Sequence, residues 1–180
     1  MEKKIVMPPL GPAEAVKAIG RKLFVFKGRS RRSEYWWGVM SAYVVLGVFS
    51  ITFPLGPGKL SFFSLYVLIG VLLWKCILLP MGVRRLHDTG RSGCWAVIDF
   101  ILVLVYLFLL GVEDVKLWQV SEEPDELASL RIMSDILFKY LWLHLLCSFT
   151  QLILIVLMCF DSQKEENKYG KSPKYIDVEA

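Results

Sequence analysis

The chain has 180 residues, 55% of them hydrophobic, and its mean hydropathy is +0.50. Soluble domains reach only about 45–50% apolar residues even when glycine is counted, so this composition excludes an ordinary soluble domain and indicates a membrane protein. The formal net charge is only +4 at pH 7, and the four cysteines contain no C-x-x-C pair, which argues against a zinc site or a disulfide framework.

The first predicted element is a short amphipathic helix within a basic leader, residues 1–35. Val16, Ile19, Leu23 and Phe26 follow one another at spacings of three, four and three, and Pro12 suits a first helical turn. Lysines and arginines occupy the other face, so we expect the helix to lie on the inner membrane surface. The alternative is a partly ordered basic leader. A cleavable signal peptide is not expected, because a long charged stretch precedes the first apolar run.

Four apolar segments follow, each long enough to cross a bilayer, whose hydrocarbon core of roughly 30 Å requires about 20 helical residues. They are residues 36–53, 61–81, 95–112 and 138–160. Each is apolar around nearly its whole circumference, unlike a one-sided soluble helix, and lipid cannot satisfy open backbone groups. The predicted fold class is an all-α membrane protein with four transmembrane helices in a domain of residues 36–160.

The distribution of lysine and arginine predicts the orientation of these spans. Nine such residues precede the first span, three lie between the second and third spans, and four lie in a polar tail, residues 161–180. The opposite side has four, so both termini and the connection at residues 81–93 are expected in the cytoplasm. The predicted location is therefore the bacterial inner (plasma) membrane, in a multi-pass arrangement.

The connection at residues 113–137 is acidic and is expected to be a solvated extension of the fourth span, with a partner site as the alternative. Pro124 is placed to open a helix that continues through Leu127, Leu130 and Leu137. The tail is expected to be flexible, except where the run NKYGKSP turns back on the domain.

Two arginine-rich clusters lie on the predicted cytoplasmic face, FKGRSRRSEYWW at residues 26–37 and RRLHDTGRSGCW at residues 84–95. Lysine would serve topology equally well, whereas arginine's planar fork binds a carboxylate or phosphate through two bonds. Two interpretations stay open. Glu34 and Asp88 could accept forks from the opposite cluster and tie the segments together, or the clusters could bind an anion or a lipid headgroup. The candidate site consists of Arg29, Arg31, Arg32, Glu34, Arg84, Arg85, His87, Asp88 and Arg91.

His87 beside Asp88 invites a catalytic interpretation, but neighbours in sequence need not face each other. The run DTGRSG lacks the spacing and the lysine of a phosphate-binding loop. It suits a tight turn in which Ser92 caps the next helix. No catalytic residue, metal ligand or cofactor is predicted, and an enzyme is the less favoured interpretation.

Three polar residues are predicted within the membrane. Lys75 and Asp99 lie roughly 6–9 Å below the inner interface on adjacent antiparallel helices, so a Lys75–Asp99 pair is expected, with snorkelling of Lys75 as the alternative. His144 lies nearer the outer end of the fourth span and suits an interhelical hydrogen bond.

The two clusters and the tail resemble the bacterial inner-membrane family of unknown function numbered 805, the YhaH-type proteins. The matching runs are FKGRSRRSEYW, RRLHDTGRSGCW and an Asn–x–Tyr–Gly–x–x–Pro signature in the tail, here Asn167, Tyr169, Gly170 and Pro173. The resemblance extends over about residues 15 to 173 and implies a small multi-span inner-membrane protein, without implying an activity or a substrate. All three motifs lie on the predicted cytoplasmic side, which favours a shared site there.

Three functions follow as hypotheses. The first is a non-catalytic membrane protein whose cytoplasmic arginines bind an anionic lipid headgroup, an anion or a membrane protein partner, with Gly38 and Ala42 as a small-residue contact in a homo-oligomer. The second is a small oligomeric transporter or channel that uses Lys75 and Asp99, with His144 as a further candidate. The third is a lipid-modifying enzyme with His87 or Asp88 as the general base. Nucleic acid is not an expected partner, because topology accounts for the basic residues.

Overall fold

The computed structural model describes residues 3–52, 60–120 and 126–178, and within these the chain is mostly helical. In chain order the elements are β1 Lys3–Val6, α1 Pro12–Arg21, α2 Arg32–Thr52, α3 Leu60–Asp88, α4 Cys94–Val120, α5 Glu126–Lys139, α6 Leu141–Cys159 and β2 Tyr175–Val178. Helix α3 packs against α2, α4 and α6, and α4 also packs against α6. The longest helices therefore form one bundle around α3.

Two groups of buried apolar side chains hold the bundle together. Val83 and Leu86 of α3 pack with residues of α4 and α6 near the end of α3. Val103 of α4 packs with Leu143 and Cys147 of α6 further along the bundle. Both groups join the same three helices at different heights, which fixes their mutual orientation.

The outer faces of the bundle are strongly apolar. Val45, Phe108 and Phe149 are 65%, 70% and 61% exposed, respectively. Within the described part of the chain, two helical segments are long and apolar enough to cross a membrane, Cys94–Glu113 and Leu141–Cys159, with mean hydropathies of 2.6 and 2.1. They correspond to the third and fourth predicted spans. The first two predicted spans lie along α2 and α3 and stay predictions.

Helix ends differ from the predicted limits at both ends of the bundle. On the side of the arginine clusters, α3 continues to Asp88, so the first half of the predicted connection at residues 81–93 is helical. Helix α4 continues to Val120, beyond the predicted end of the third span at residue 112. Helix α5 begins at Glu126 and is separated from α6 by Tyr140, so the chain breaks inside the segment predicted as the fourth span. The connection predicted as a solvated extension of the fourth span is thus largely helical, as expected through Leu127, Leu130 and Leu137, while Pro124, predicted to open this helix, lies outside the described residues.

The amphipathic helix forms as α1, but its apolar residues divide between two directions. Ala15 and Ile19 are buried against the bundle, whereas Val16 and Phe26 are 48% and 43% exposed. Helix α1 ends at Arg21, so Leu23 and Phe26 of the predicted apolar face lie beyond it, and Ile19 packs within the chain. The location of the helix at the inner membrane surface stays a prediction. Strand β1, which precedes α1, pairs antiparallel with β2, which follows α6, so the leader and the tail lie side by side.

Gly38 also packs inside the chain. A side-chain carbon at this position would lie 1.9 Å from Met81 Cε and 2.7 Å from Ile19 Cδ1. The absence of a side chain lets α1, α2 and α3 approach one another closely. Gly38 is therefore occupied by intrachain contacts and does not offer the free small-residue surface predicted for an oligomer.

Candidate functional site

The centre of the candidate site is Asp88, the last residue of α3. Its side chain is fully buried, and its carboxylate lies 2.9 Å from Arg29 Nε and 2.5 Å from Arg85 Nη1. Ser162 of the tail donates a third hydrogen bond to the carboxylate. One carboxylate thus joins the end of the leader, the end of α3 and the start of the tail, and we call Arg29, Arg85 and Asp88 the buried triad.

Arg29 uses all five of its N–H donors within the chain. Nε binds the Asp88 carboxylate, and Nη1 donates to the backbone oxygens of Glu165 and Gly170 at 2.9 and 3.1 Å. Nη2 donates to the backbone oxygens of Gln163 and Asp88 at 2.6 and 3.3 Å. Since a guanidinium has five donors, Arg29 has none left for an external anion in this arrangement. Its role here is to fold the tail onto the leader.

Arg85 joins the triad to the end of α6. Its Nε donates to the backbone oxygen of Met158 at 3.1 Å, and Nη2 donates to that of Phe160. These carbonyls lie in the last turn of α6 and at the residue that follows it, where oxygens lack intrahelical partners and carry partial negative charge. Burial lowers the pKa of Arg85, and the charge of Asp88 opposes this shift.

Arg84 and Glu34 form a looser buried pair between the two clusters. Arg84 Nη2 lies 3.7 Å from a Glu34 carboxylate oxygen, which is too long for a hydrogen bond. The Nη1 group of Arg84 donates to the backbone oxygens of Lys22 and Val25, the latter at 2.7 Å. Burial lowers the pKa of Arg84, and the Glu34 charge opposes it. Glu34 and Asp88 each lie beside an arginine of the opposite cluster, but neither carboxylate accepts the predicted two-bond fork from it.

His87 binds the tail through its ring. The ring stacks on Tyr169 with centroids 3.7 Å apart and an 8° interplanar angle, and Nδ1 lies 3.2 Å from the Gly28 backbone oxygen. Asn167 donates from its side chain to the His87 backbone oxygen at 2.9 Å. Burial lowers the pKa of His87, against the opposing effect of the Gly28 hydrogen bond, and the charge of Lys168 lowers it further. The ring is thus a packing surface for the tail signature.

The side chains of His87 and Asp88 have separate partners. The His87 ring contacts Tyr169 and the Gly28 backbone, while the Asp88 carboxylate is fully buried among the triad and Ser162. A general base must reach the proton that it abstracts, and a fully enclosed Asp88 cannot reach a lipid substrate. Within the described residues, no group of three or more His, Cys, Asp and Glu side chains could hold a metal ion.

Each of the three motifs contains a glycine in the left-handed region. The φ angles of Gly28, Gly90 and Gly170 are 90°, 77° and 115°. A side chain is strained in this conformation, and at Gly90 it would also lie within 2.3 Å of the Gln163 side chain. These glycines turn the backbone so that the leader, the α3–α4 connection and the tail meet.

Three arginines of the candidate site remain at the surface. Arg31 donates to the Pro8 backbone oxygen at 3.0 Å, and Arg32 donates to that of Cys159 at 3.4 Å. The Arg91 guanidinium lies over the Phe160 ring, 4.5 Å from its centroid. None of the three forms an ion pair with a carboxylate among the residues described. Arg32 and Arg91 both lie at the end of α6.

The predicted pair inside the bundle is also present. Lys75 Nζ lies 2.8 Å from Asp99 Oδ2, and the residues are 8% and 4% exposed. Lys75 also donates to Gln151, and Thr150 donates to Asp99 at 3.0 Å. Sequence reasoning missed these two α6 partners, although each is a polar residue in an apolar run. The network joins α3, α4 and α6.

His144 stands apart from that network. Its Nδ1 lies 3.3 Å from the hydroxyl oxygen of Tyr106 on α4. The predicted interhelical hydrogen bond of His144 is therefore present. Sequence reasoning also missed two residues of the tail. Ser162 and Gln163 contact the buried triad although neither belongs to a motif.

Comparison with known proteins adds independent information. The model of the family described as protein of unknown function (DUF805) matches residues 23–171. Inner membrane protein YhaI of Escherichia coli (strain K12) is 34% identical over 85 residues, which cover 47% of this chain and 70% of YhaI. Inner membrane protein YhaH of the same strain is 30% identical over 90 residues, covering 47% of this chain and 71% of YhaH. The uncharacterized protein YiiR is 28% identical over 159 residues, covering 88% and 92%. No solved structure matches significantly.

Proposed function

Since the chain belongs to the DUF805 family, as its motifs predicted, we propose that it is a four-span inner-membrane protein whose folded cytoplasmic face binds an anionic phospholipid headgroup. The relatives named as inner membrane proteins support membrane location. The headgroup site that we assign consists of Arg32, Arg91 and Phe160 at the end of α6. The protein is not proposed to be an enzyme.

The arrangement of the chain ends supports the four-span topology. Residues 3–6 pair with residues 175–178, and Arg29 binds the backbone of the tail, so both ends lie on one side of the bundle. Only an even number of spans returns a chain to the side from which it started. The excess of lysine and arginine on that side supports a cytoplasmic location for it.

One observation carries the headgroup assignment: Arg91 lies over the exposed ring of Phe160 while Arg32 binds the adjacent carbonyl of Cys159. Phe160 is 48% exposed and follows directly after α6, at the expected level of the inner interface. Two cations beside an aromatic ring at that depth match a phosphodiester above acyl chains. The nearby Asp161 pairs with Lys174 at 2.5 Å and, among the described residues, forms no ion pair with either arginine, although the charge of Arg32, after the hydrogen bond from Lys174, contributes to lowering the pKa of Asp161.

Native mass spectrometry of the gently solubilised protein tests the headgroup site. The double variant Arg32→Gln, Arg91→Gln is expected to lose bound anionic phospholipid by about 25-fold, since each basic residue near a charged surface contributes about 1 kcal/mol. Lys164→Gln combined with Lys168→Gln removes the same charge elsewhere on the cytoplasmic face and serves as the matched control. Equal lipid retention in the two double variants would overturn the site, and retention of a protein instead of a lipid would identify a partner surface.

Transport is the second candidate function, and the buried Lys75–Asp99 network favours it. Charged groups within a membrane are costly and often mark ion pathways. The network spans three helices and includes two further polar side chains, Gln151 and Thr150. Proteoliposomes loaded with a pH-sensitive dye test this alternative. A proton flux abolished by Lys75→Met together with Asp99→Leu, in a folded protein, would replace the headgroup proposal as the primary function.

A further inference from the structure

Between α1 and α2 the chain exposes three consecutive apolar residues. Phe24, Val25 and Phe26 are 78%, 43% and 43% exposed, and they follow the last turn of α1. We propose that these residues, the apolar tip, insert into the inner-leaflet interface, so that the acyl–headgroup boundary of the bilayer is their partner. The proposal rests on the inner-membrane location and is independent of the headgroup site at the end of α6.

Packing of α1 places the tip at the right depth. Ile19 of α1 meets Gly38 of α2, and Gly38 in turn faces Met81 of α3. Gly38 lies two residues inside the first predicted span, and Met81 is the last residue of the second. Helix α1 is thus fixed beside the membrane edge of the bundle rather than above it in the cytoplasm. The tip begins only three residues after α1 ends.

Arg84 holds the backbone of the tip in a shape that tolerates lipid. Its buried guanidinium donates to the backbone oxygens of Lys22 and Val25. The N–H of Val25 donates to the Lys22 oxygen at 3.1 Å, which closes a turn under Phe24. Backbone groups that enter an apolar environment must be satisfied internally, and these contacts satisfy several of them. The side chains therefore project from a braced turn.

The charge around the tip suits an anionic membrane surface. Four exposed basic residues lie before and after it in the chain, namely Lys17, Arg21, Lys22 and Lys27. An apolar insertion surrounded by lysine and arginine is the composition of interfacial membrane anchors. In water the same three side chains would remain an exposed apolar patch without a partner.

Hydroxyl-radical footprinting in nanodiscs of phosphatidylcholine and phosphatidylglycerol, with one protein copy per disc, tests the proposal. Each residue's modification rate is divided by its rate in the unfolded chain. Phe24 and Phe26 are expected to react about tenfold more slowly than Met7, because lipid removes them from water. Met7 is 36% exposed beside the terminal sheet and serves as the internal reference. Equal relative rates would overturn the proposal.

A photoreactive acyl chain on the phosphatidylglycerol separates lipid contact from covering by the chain itself. Cross-links to residues 22–27 are expected, and protection without cross-links would also overturn the proposal. The Arg32→Gln, Arg91→Gln protein is expected to keep both signals. Failure of the headgroup site and failure of the tip therefore give different results.

Discussion

At the scale of single residues, Asp88 is the group on which the cytoplasmic face depends. It neutralises two buried guanidinium groups, and both Arg29 and Arg85 carry further bonds to the tail or to α6. Asp88→Asn keeps the shape but leaves two buried cations without a counter-charge. We expect a loss of about 3–5 kcal/mol in the free energy of unfolding, measured by thermal unfolding in nanodiscs.

Asp161→Asn provides the comparison for that loss. Asp161 pairs with Lys174 at the surface, where its side chain is 52% exposed. Exposed ion pairs contribute about 0–1 kcal/mol, so this variant should unfold near the wild-type temperature. If the Asp88→Asn protein were as stable as the Asp161→Asn protein, the cytoplasmic face would not depend on the buried triad for its stability.

Lys75 and Asp99 allow a double-variant test of a buried ion pair. Removing one partner leaves the other charged and buried, so Lys75→Met alone is expected to destabilise the bundle by about 3–5 kcal/mol. Lys75→Met with Asp99→Leu removes both charges and should recover most of that loss. Thermal unfolding of the two single variants and the double variant measures the coupling. No recovery in the double variant would mean that the polar network around Gln151 has its own structural role.

His87 makes the stability of the cytoplasmic face depend on pH. Burial lowers its pKa below the ordinary value of about 6.5, so the unfolded chain takes up a proton before the folded chain does as pH falls. Stability should therefore decrease between about pH 7.5 and pH 5.5. His87→Gln should reduce this slope, although loss of the stack on Tyr169 lowers stability at every pH. An unchanged slope in thermal unfolding across this range would exclude His87 as its source.

At the scale of elements, the three left-handed glycines form the turns that bring the three motifs together. Gly90→Ala introduces both backbone strain and a clash with Gln163, whereas Gly170→Ala introduces strain alone, because nothing lies within 4 Å of its added carbon. Strain costs of order 1–3 kcal/mol. Gly90→Ala should therefore lower the unfolding temperature more than Gly170→Ala. The reverse order would mean that the turn in the tail contributes more to stability than the turn between α3 and α4.

Helix positions could be predicted from the sequence better than helix ends. Long apolar runs predicted α4 and α6, because hydropathy is averaged over many residues. The break at Tyr140 and the extension of α4 to Val120 were missed, since a boundary depends on a few local contacts. Lys139 Nζ and Tyr140 Oη both bind Glu113, at 2.6 and 2.8 Å, and the sequence pattern does not encode this contact between α4 and the α5–α6 junction.

At the scale of the whole molecule, the sequence predicted which charged side chains lie together but not which of them remain accessible. Arginine content and matching depth predicted that Glu34, Asp88 and Lys75 would have partners of opposite charge, because unpaired charges are costly near the membrane. The occupation of Arg29 by tail carbonyls could not be predicted, since backbone acceptors are present at every residue. The headgroup hypothesis therefore moves from the whole arginine set to Arg32 and Arg91.

The joined ends of the chain make the topology testable in one experiment. A membrane-impermeant maleimide applied to intact cells should not label Cys94, which is exposed at the start of α4 on the predicted cytoplasmic side. A Leu130→Cys variant should be labelled, because Leu130 is 58% exposed on α5 at the opposite end of the bundle. Permeabilising the membrane should add Cys94 labelling and leave the labelling of position 130 unchanged.

The contacts between the chain ends explain why one orientation is expected. Since β1, the buried triad and the tail hold both ends together, the inverted topology would require the whole basic face to cross the membrane. The sixteen basic residues predicted on that face oppose such a crossing. Labelling of Cys94 in intact cells would overturn the orientation, and with it the assignment of the arginine site to the inner leaflet.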